Sequence, residues 1–305
     1  MQTVGRFAPS PSGRMHLGNV LCALLAWLSA RHQNGAFLLR IEDLDAMRCP
    51  LSYADLIMDD LRWLGLDWDG EVPYQSERAP IYEKYEQILR EKGLLYPCFC
   101  SRAALHAASA PHLSDGRVLY AGTCRELTPA EIEEKRKKRA PATRVRVPDE
   151  IISFTDGVFG AYSENLAEEC GDFIIRRSDG VFAYQLAVTV DDGLSGVTEV
   201  VRGSDLISST PRQIWLYRLF GFEPPHFVHI PLLCDVDGRR LSKRDEDLDL
   251  GLLRERFTPE QVIGALAFAA HLTDRAEPAS VRELVQDFDW SRIPRHELCL
   301  PPMFR

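Results

Sequence analysis

The chain is 305 residues long, with 45% hydrophobic and 27% charged side chains and a formal net charge of −9 at pH 7. That balance suits one or two ordinary apolar cores and excludes a disordered, collagen-like or low-complexity polymer. The longest apolar run, residues 20–30, falls short of the ~20 residues that span a bilayer, nothing at the N-terminus resembles a signal peptide, and eight cysteines are too sparse for a disulfide scaffold; the expectation is a cytoplasmic protein with reduced thiols and no membrane span.

In chain order, Phe7-Ala8-Pro9-Ser10-Pro11-Ser12-Gly13 followed by His16, Gly18 and Asn19 reads as a strand-to-loop turn delivering the N-terminus of a helix over 20–30. Such a terminus attracts phosphate, the glycines let a ligand approach the backbone, and His16 is a donor to phosphoryl oxygens. Residues 37–41 form a short apolar strand leading to Glu42, and 53–64 and 80–92 repeat apolar residues at helical spacing. Strand and helix alternate as a parallel α/β sheet requires.

From about 95 to 170 the rhythm breaks into an insertion. Cys98, Cys100 and Cys124 lie in a stretch rich in Ala, Ser, Pro and Gly that has little core of its own, and a charged helix over 129–139 and a β-like 142–148 follow. Three thiolates suit a tetrahedral structural Zn²⁺; Tyr120, His106 and His112 are the candidates for the fourth ligand, and spacing alone favours a histidine. Strands are then expected at 172–177 and 181–190, joined by a hairpin turn at Ser178-Asp179-Gly180. A helix to residue 220, a strand over 226–233 and a basic loop from Arg239 to Arg244 come next, with Lys243 suited to neutralise a leaving pyrophosphate; helices over 252–257, 259–272 and 280–288 close the chain. Neither a Walker-type phosphate loop nor a Gly-x-Gly-x-x-Gly fingerprint occurs, so a nucleotide is held another way.

Arg6 to Gly13 with His16-Leu17-Gly18-Asn19 resembles the HIGH-type signature of class I aminoacyl-tRNA synthetases in its glutamyl form, and Arg240-Leu241-Ser242-Lys243-Arg244 resembles the KMSKS loop of that class. Between them Arg40-Ile41-Glu42-Asp43-Leu44-Asp45, Tyr184-Gln185-Leu186-Ala187, Asp191-Asp192, Val201 to Leu206 and Ser209 to Gln213 are similar to glutamyl-tRNA synthetase blocks in the same order. Only 61 residues follow Arg244, too few for the anticodon-reading domains of the full-length enzymes. Val188 stands where those enzymes carry Asn, and Leu44 where they carry Thr. These features resemble the glutamyl-Q branch, which activates glutamate and attaches it to the queuosine base of tRNA(Asp).

The resemblance implies an α/β, Rossmann-like class I catalytic domain in two halves (1–94 and 171–248), a zinc-bearing, acceptor-like insertion (95–170) and a small helical C-terminal domain (249–305), in a monomer. It implies ATP, L-glutamate and queuosine-bearing tRNA(Asp) as substrates, with Mg²⁺ accompanying ATP. Glutamate falls to Arg6, Phe7, Ala8, Pro9 and Ser10, to Glu42 for the α-ammonium, and to Tyr184 and Arg202 around the side chain. ATP falls to His16, Gly18, Asn19, Ser242 and Lys243, with His16 and Lys243 as the catalytic pair, and zinc falls to Cys98, Cys100, Tyr120 and Cys124. The acidic net charge does not exclude RNA, because phosphate is met by local patches such as the Lys135 to Arg139 run, Arg144, Arg146 and the basic loop. The same residues also allow two other readings: a shortened synthetase charging a tRNA 3′ end, and a non-catalytic paralogue that binds ATP or RNA.

Overall fold

In the computed structural model, which describes residues 2–101, 119–235 and 249–304, two parallel strand pairs lie side by side. β1 (Val4–Phe7) pairs in parallel with β2 (Ala36–Leu39) across helix α1 (Leu17–His32). Helix α2 (Leu51–Trp63) buries Ala54, Ile57 and Leu61, and α3 (Ala79–Glu91) buries Tyr82, Glu86 and Leu89, one stripe each at helical spacing. β3 (Leu95–Cys98), β4 (Ala142–Val145) and β7 (Phe173–Arg176) form an antiparallel sheet. Between its strands lie α4 (Pro129–Arg136), which buries no residue, and the hairpin β5 (Ile151–Asp156) and β6 (Gly160–Asn165).

Helix α5 (Tyr184–Leu194) precedes β8 (Glu199–Gly203), which pairs in parallel with β9 (His226–Ile230) across α6 (Thr210–Phe220). Thr198 joins the pairs: its amide donates to the Val4 carbonyl and its hydroxyl accepts from the Val4 amide, both at 2.9 Å. β10 (Leu233–Cys234) pairs with β11 (Leu298–Cys299), and helices α7 (Leu250–Arg256), α8 (Pro259–Ala269) and α9 (Val281–Leu284) fill the C-terminal part.

Side chains alternate across the parallel strands, as the pleat demands. Phe7, Phe37, Leu39, Val201, Val228 and Ile230 face α1, whereas Val4, Leu38, Val200 and Phe227 face α3, α5 and α6. Helix α1 is apolar on nearly every side because it is covered twice: Leu250, Leu253, Val262, Ile263 and Leu266 share its apolar cluster with the strands. The C-terminal helices therefore bury no separate core.

One expected strand is a helix. Residues 181–190, rich in β-branched Val188, Thr189 and Val190, bridge to Arg176 only at Phe182 and then wind into α5. The Ser178-Asp179-Gly180 turn is present, with the Gly180 amide bonded to the Arg177 carbonyl at 3.0 Å. Helical register wins because it seats Leu186, Ala187 and Val190 in the core while turning Asp191 toward Arg78 and Asp192 toward the buried Arg40. The last expected helix, 280–288, is regular only over Val281–Leu284, and the charged one stops at Arg136.

Gly264 in α8 meets the returning chain, where a Cβ would overlap the Glu277 carbonyl oxygen. Gly264→Ala is therefore expected to lower unfolding free energy by about 1–3 kcal/mol, read as a fall in Tm by calorimetry.

Candidate active site

The turn after β1 ends at His16, the N-cap of α1, whose Nδ1 accepts from the Gly18 amide at 3.1 Å while the Asn19 side chain accepts from the His16 amide at 3.3 Å. A lone pair committed at Nδ1 leaves the neutral ring proton on Nε2, as a donor beside the helix N-terminus. Gly18 is required here, since a Cβ would press on the imidazole 2.9 Å away. The segment after the basic loop closes on the same turn: Asp249 bridges to His16 and the Leu250 amide donates to the Met15 carbonyl at 2.9 Å. Arg14 and Arg254 share the fully buried Asp60, at 2.9 and 2.7 Å, which braces this junction against α2.

Beside the turn lies a buried charge network. Arg40 reaches Asp192 at 2.6 Å and Glu42 at 3.2 Å, and Arg6 donates to Asp192 at 3.3 Å and to the Val201 carbonyl at 3.1 Å. Asp191 takes Arg78 at 2.7 Å and Gln75 and Tyr82 at 2.8 Å. Burial alone would raise the Asp192 carboxyl, but Arg40 and Arg6 hold it below the usual carboxylate range. For Glu42 burial wins over Arg40 and Arg6, and its carboxyl sits above the ordinary value. A cation arriving beside Glu42 would favour its charged form.

Arg202 is buried differently. Its Nε donates to His229 Nε2 at 3.0 Å, its two NH groups to Gln213 Oε1 at 2.8 Å and Thr210 Oγ1 at 2.7 Å, and the Tyr184 hydroxyl lies 3.4 Å away. Among the described residues none of its partners is a carboxylate. His229 Nδ1 is 2.6 Å from Asp156 Oδ2, which also accepts from the His229 amide, and Asp156 Oδ1 accepts from the amides of Val158 and Phe159. Those donors hold Asp156 ionised against its burial, while burial and Arg202 together keep His229 below its ordinary value despite Asp156.

The turn, Glu42, Arg6 and Arg202 open on one cleft of about 1020 Å³. Arg6, Phe7, Ala8, Pro9, Ser10, His16, Gly18, Asn19, Glu42, Tyr184 and Arg202, spread over 196 positions of sequence, line it together. Ser242 and Lys243 lie outside the described residues, as do His106 and His112. No spacing or motif assigns a site role to Arg40, Asp156, Asp192 or His229; an Asp-Asp pair within an apolar run and a histidine between Val228 and Ile230 are the signals, since buried polar groups require partners.

Near the end of β3 the Sγ atoms of Cys98, Cys100 and Cys124 lie within 4.8 Å of one another, with Cys100 and Cys124 3.7 Å apart. The Tyr120 hydroxyl is 3.7 Å from Cys98 Sγ and accepts from the Cys124 amide at 2.7 Å. Two thiolates on a tetrahedral zinc at about 2.3 Å are separated by about 3.8 Å, so the spacing already matches such an ion. Arg144 donates Nε to Cys98 Sγ at 3.2 Å and lies 3.8 Å over the Tyr120 ring. A buried guanidinium there offsets anionic sulfur ligands.

Residues 2–291 match the family model of the catalytic domain of class I tRNA synthetases (E and Q). A Symbiobacterium thermophilum protein named glutamyl-Q tRNA(Asp) synthetase is 50% identical over 97% of this chain and 95% of its own, and a namesake from Nitratidesulfovibrio vulgaris is 47% identical over the same shares. Among solved structures, a glutamate tRNA ligase from Elizabethkingia meningosepticum, in complex with its amino acid, superposes with a TM-score of 0.85 at 28% identity, covering 100% of this chain and 68% of that one. The chain thus belongs to the class I tRNA synthetases of the glutamyl and glutaminyl type, in the branch of the glutamyl-Q tRNA(Asp) synthetases.

Proposed function

We propose that this chain activates L-glutamate with ATP and transfers the glutamyl group to the queuosine base of tRNA(Asp). The observation that carries this reading is the cleft itself, where a histidine-capped helix N-terminus and a buried arginine with no carboxylate partner among the described residues line one cavity. The first feature suits a triphosphate and the second a side-chain carboxylate. The names of the relatives supply the acceptor.

On this reading Glu42 receives the α-ammonium, Arg6 and Ser10 orient the amino acid, and Tyr184 and Arg202 enclose its side chain. The α-carboxylate attacks the α-phosphorus in line and pyrophosphate leaves, with no covalent link to the enzyme. Catalysis is positioning plus charge stabilisation: His16 donates Nε2–H toward the phosphoryl oxygens, and Ser242 and Lys243 meet the departing phosphates. Mg²⁺ bound with ATP supplies charge neutralisation on the triphosphate. A ring hydroxyl of queuosine then attacks the activated carbonyl and releases AMP.

The zinc ligands in this reading are Cys98, Cys100, Tyr120 and Cys124, and the ion would staple the insertion. The segment assignment is 1–94 with 171–248 as catalytic halves, 95–170 as the metal-bearing insertion and 249–305 as the helical end. Among the described residues no helix is long and apolar enough to cross a membrane; a tRNA substrate places the work in the cytoplasm, and we take the enzyme to be a monomer.

Labelled glutamate should pass to tRNA(Asp) carrying queuosine and neither to unmodified tRNA(Asp) nor to tRNA(Glu); robust charging of tRNA(Glu) alone would establish 3′-end aminoacylation instead. Lys243→Ala should lower glutamate-dependent ATP–pyrophosphate exchange by roughly two orders of magnitude or more with an unchanged circular dichroism spectrum, and near-normal exchange would remove Lys243 from the mechanism. Elemental analysis should find about one zinc per chain, lost in Cys98→Ser. A fully folded, zinc-free preparation rejects the metal site.

A further inference from the structure

Three buried arginines in and behind the pocket, Arg6, Arg40 and Arg202, solve burial in two ways. Arg6 and Arg40 lean on a carboxylate, Asp192, and their charge is spent there. Arg202, equally buried at 4% exposure, has only neutral acceptors among the described residues. A carboxylate does lie nearby, but the His229 ring stands between it and the guanidinium, 2.6 Å from Asp156 on one side and 3.0 Å from Arg202 on the other.

The protonation of that ring is set by its neighbours. Asp156 has both oxygens committed as acceptors, to the amides of Val158 and Phe159 on one and to the His229 amide on the other, so the ring nitrogen facing it carries the proton. The opposite nitrogen then presents a lone pair to Arg202 Nε. Arg202 is thus aimed without being neutralised, and a buried cation in that condition favours an incoming carboxylate over a carboxamide of the same shape.

We propose that His229, locked as the Nδ1–H tautomer by Asp156, is a specificity-determining positioning residue that anchors Arg202 through a neutral acceptor and so reserves its charge for an amino acid bearing a side-chain carboxylate. This rests on the reading of the cleft as a glutamate pocket. It extends that reading to two residues with no direct place against the substrate.

The test is ATP–pyrophosphate exchange, run with queuosine-bearing tRNA(Asp) present, on four variants. His229→Asn keeps an N–H toward Asp156 but falls short of Arg202; KM for glutamate should rise by about tenfold or more, with kcat and KM for ATP within about twofold. His229→Gln, which reaches Arg202 with a carbonyl oxygen, should recover most of that loss. His229→Glu brings an anion to Arg202 and should narrow the preference for glutamate over glutamine, measured by glutamine competition. Arg202→Lys is the reference for the pocket. Wild-type KM and selectivity in both His229→Asn and His229→Glu, beside an impaired Arg202→Lys, overturn the proposal while sparing the pocket; an unimpaired Arg202→Lys overturns the pocket and the proposal together. If His229→Asn loses its folded spectrum, the contrast between His229→Gln and His229→Glu decides: equal glutamate affinity and selectivity in the two refutes the role.

Discussion

The carboxylate of Asp192 is the point on which the site depends. It takes Arg6 from β1 and Arg40 from just past β2 while itself riding on α5, so one side chain joins the two parts of the chain that form the cleft. Removing it would strip the buried Arg6 of its carboxylate partner and leave Arg40 to Glu42 and Asp191, a loss of about 3–5 kcal/mol for a buried pair broken from one side. Its neighbour Asp191 performs the parallel task outward, binding Gln75, Arg78 and Tyr82 and so fastening α3 to α5. The acidic pair is a hinge pin between layers, and the pocket geometry follows from it.

Around that pin, charge is distributed unevenly. Arg6 and Arg40 are balanced within the protein, Glu42 is shared with Arg40, and Arg202 is held by uncharged groups. The turn at His16 adds a helix N-terminus with no acidic residue in its first turn. A cleft built in this way offers donors at two places, the helix end and Arg202, and the acid of Glu42 beside Arg6 and Arg40. An amino acid with an anionic side chain and a triphosphate match that pattern.

Much of this was legible in the sequence where function is local. The residues from Arg6 to Asn19 lie on one strand, one turn and one helix start, so their order alone carried them into a single place. The helices α2 and α3 showed their buried stripes for the same reason. α5 did not: Val188, Thr189 and Val190 have strand propensity, and only the need to seat Asp191 and Asp192 under arginines distant in the chain makes the helix. Arg202, His229 and Asp156 are separated by 27 and 73 positions and meet only through folding, so no spacing rule could join them. At the cysteine cluster, spacing found the thiols but favoured histidine for a fourth ligand, and only the family resemblance named Tyr120; the Tyr120 hydroxyl lies beside Cys98, with Arg144 stacked on its ring, while His106 and His112 lie outside the described residues.

The double covering of α1 has a further meaning. This helix presents His16 at one end, and its back is sealed by side chains from beyond residue 249 that were expected to form a unit of their own. The nucleotide-binding fold is therefore not a detachable cassette. Cutting the chain after the basic loop would lay bare a greasy flank of this sixteen-residue helix and unmoor the turn at His16, so the tail acts as the keel of the domain rather than its appendage.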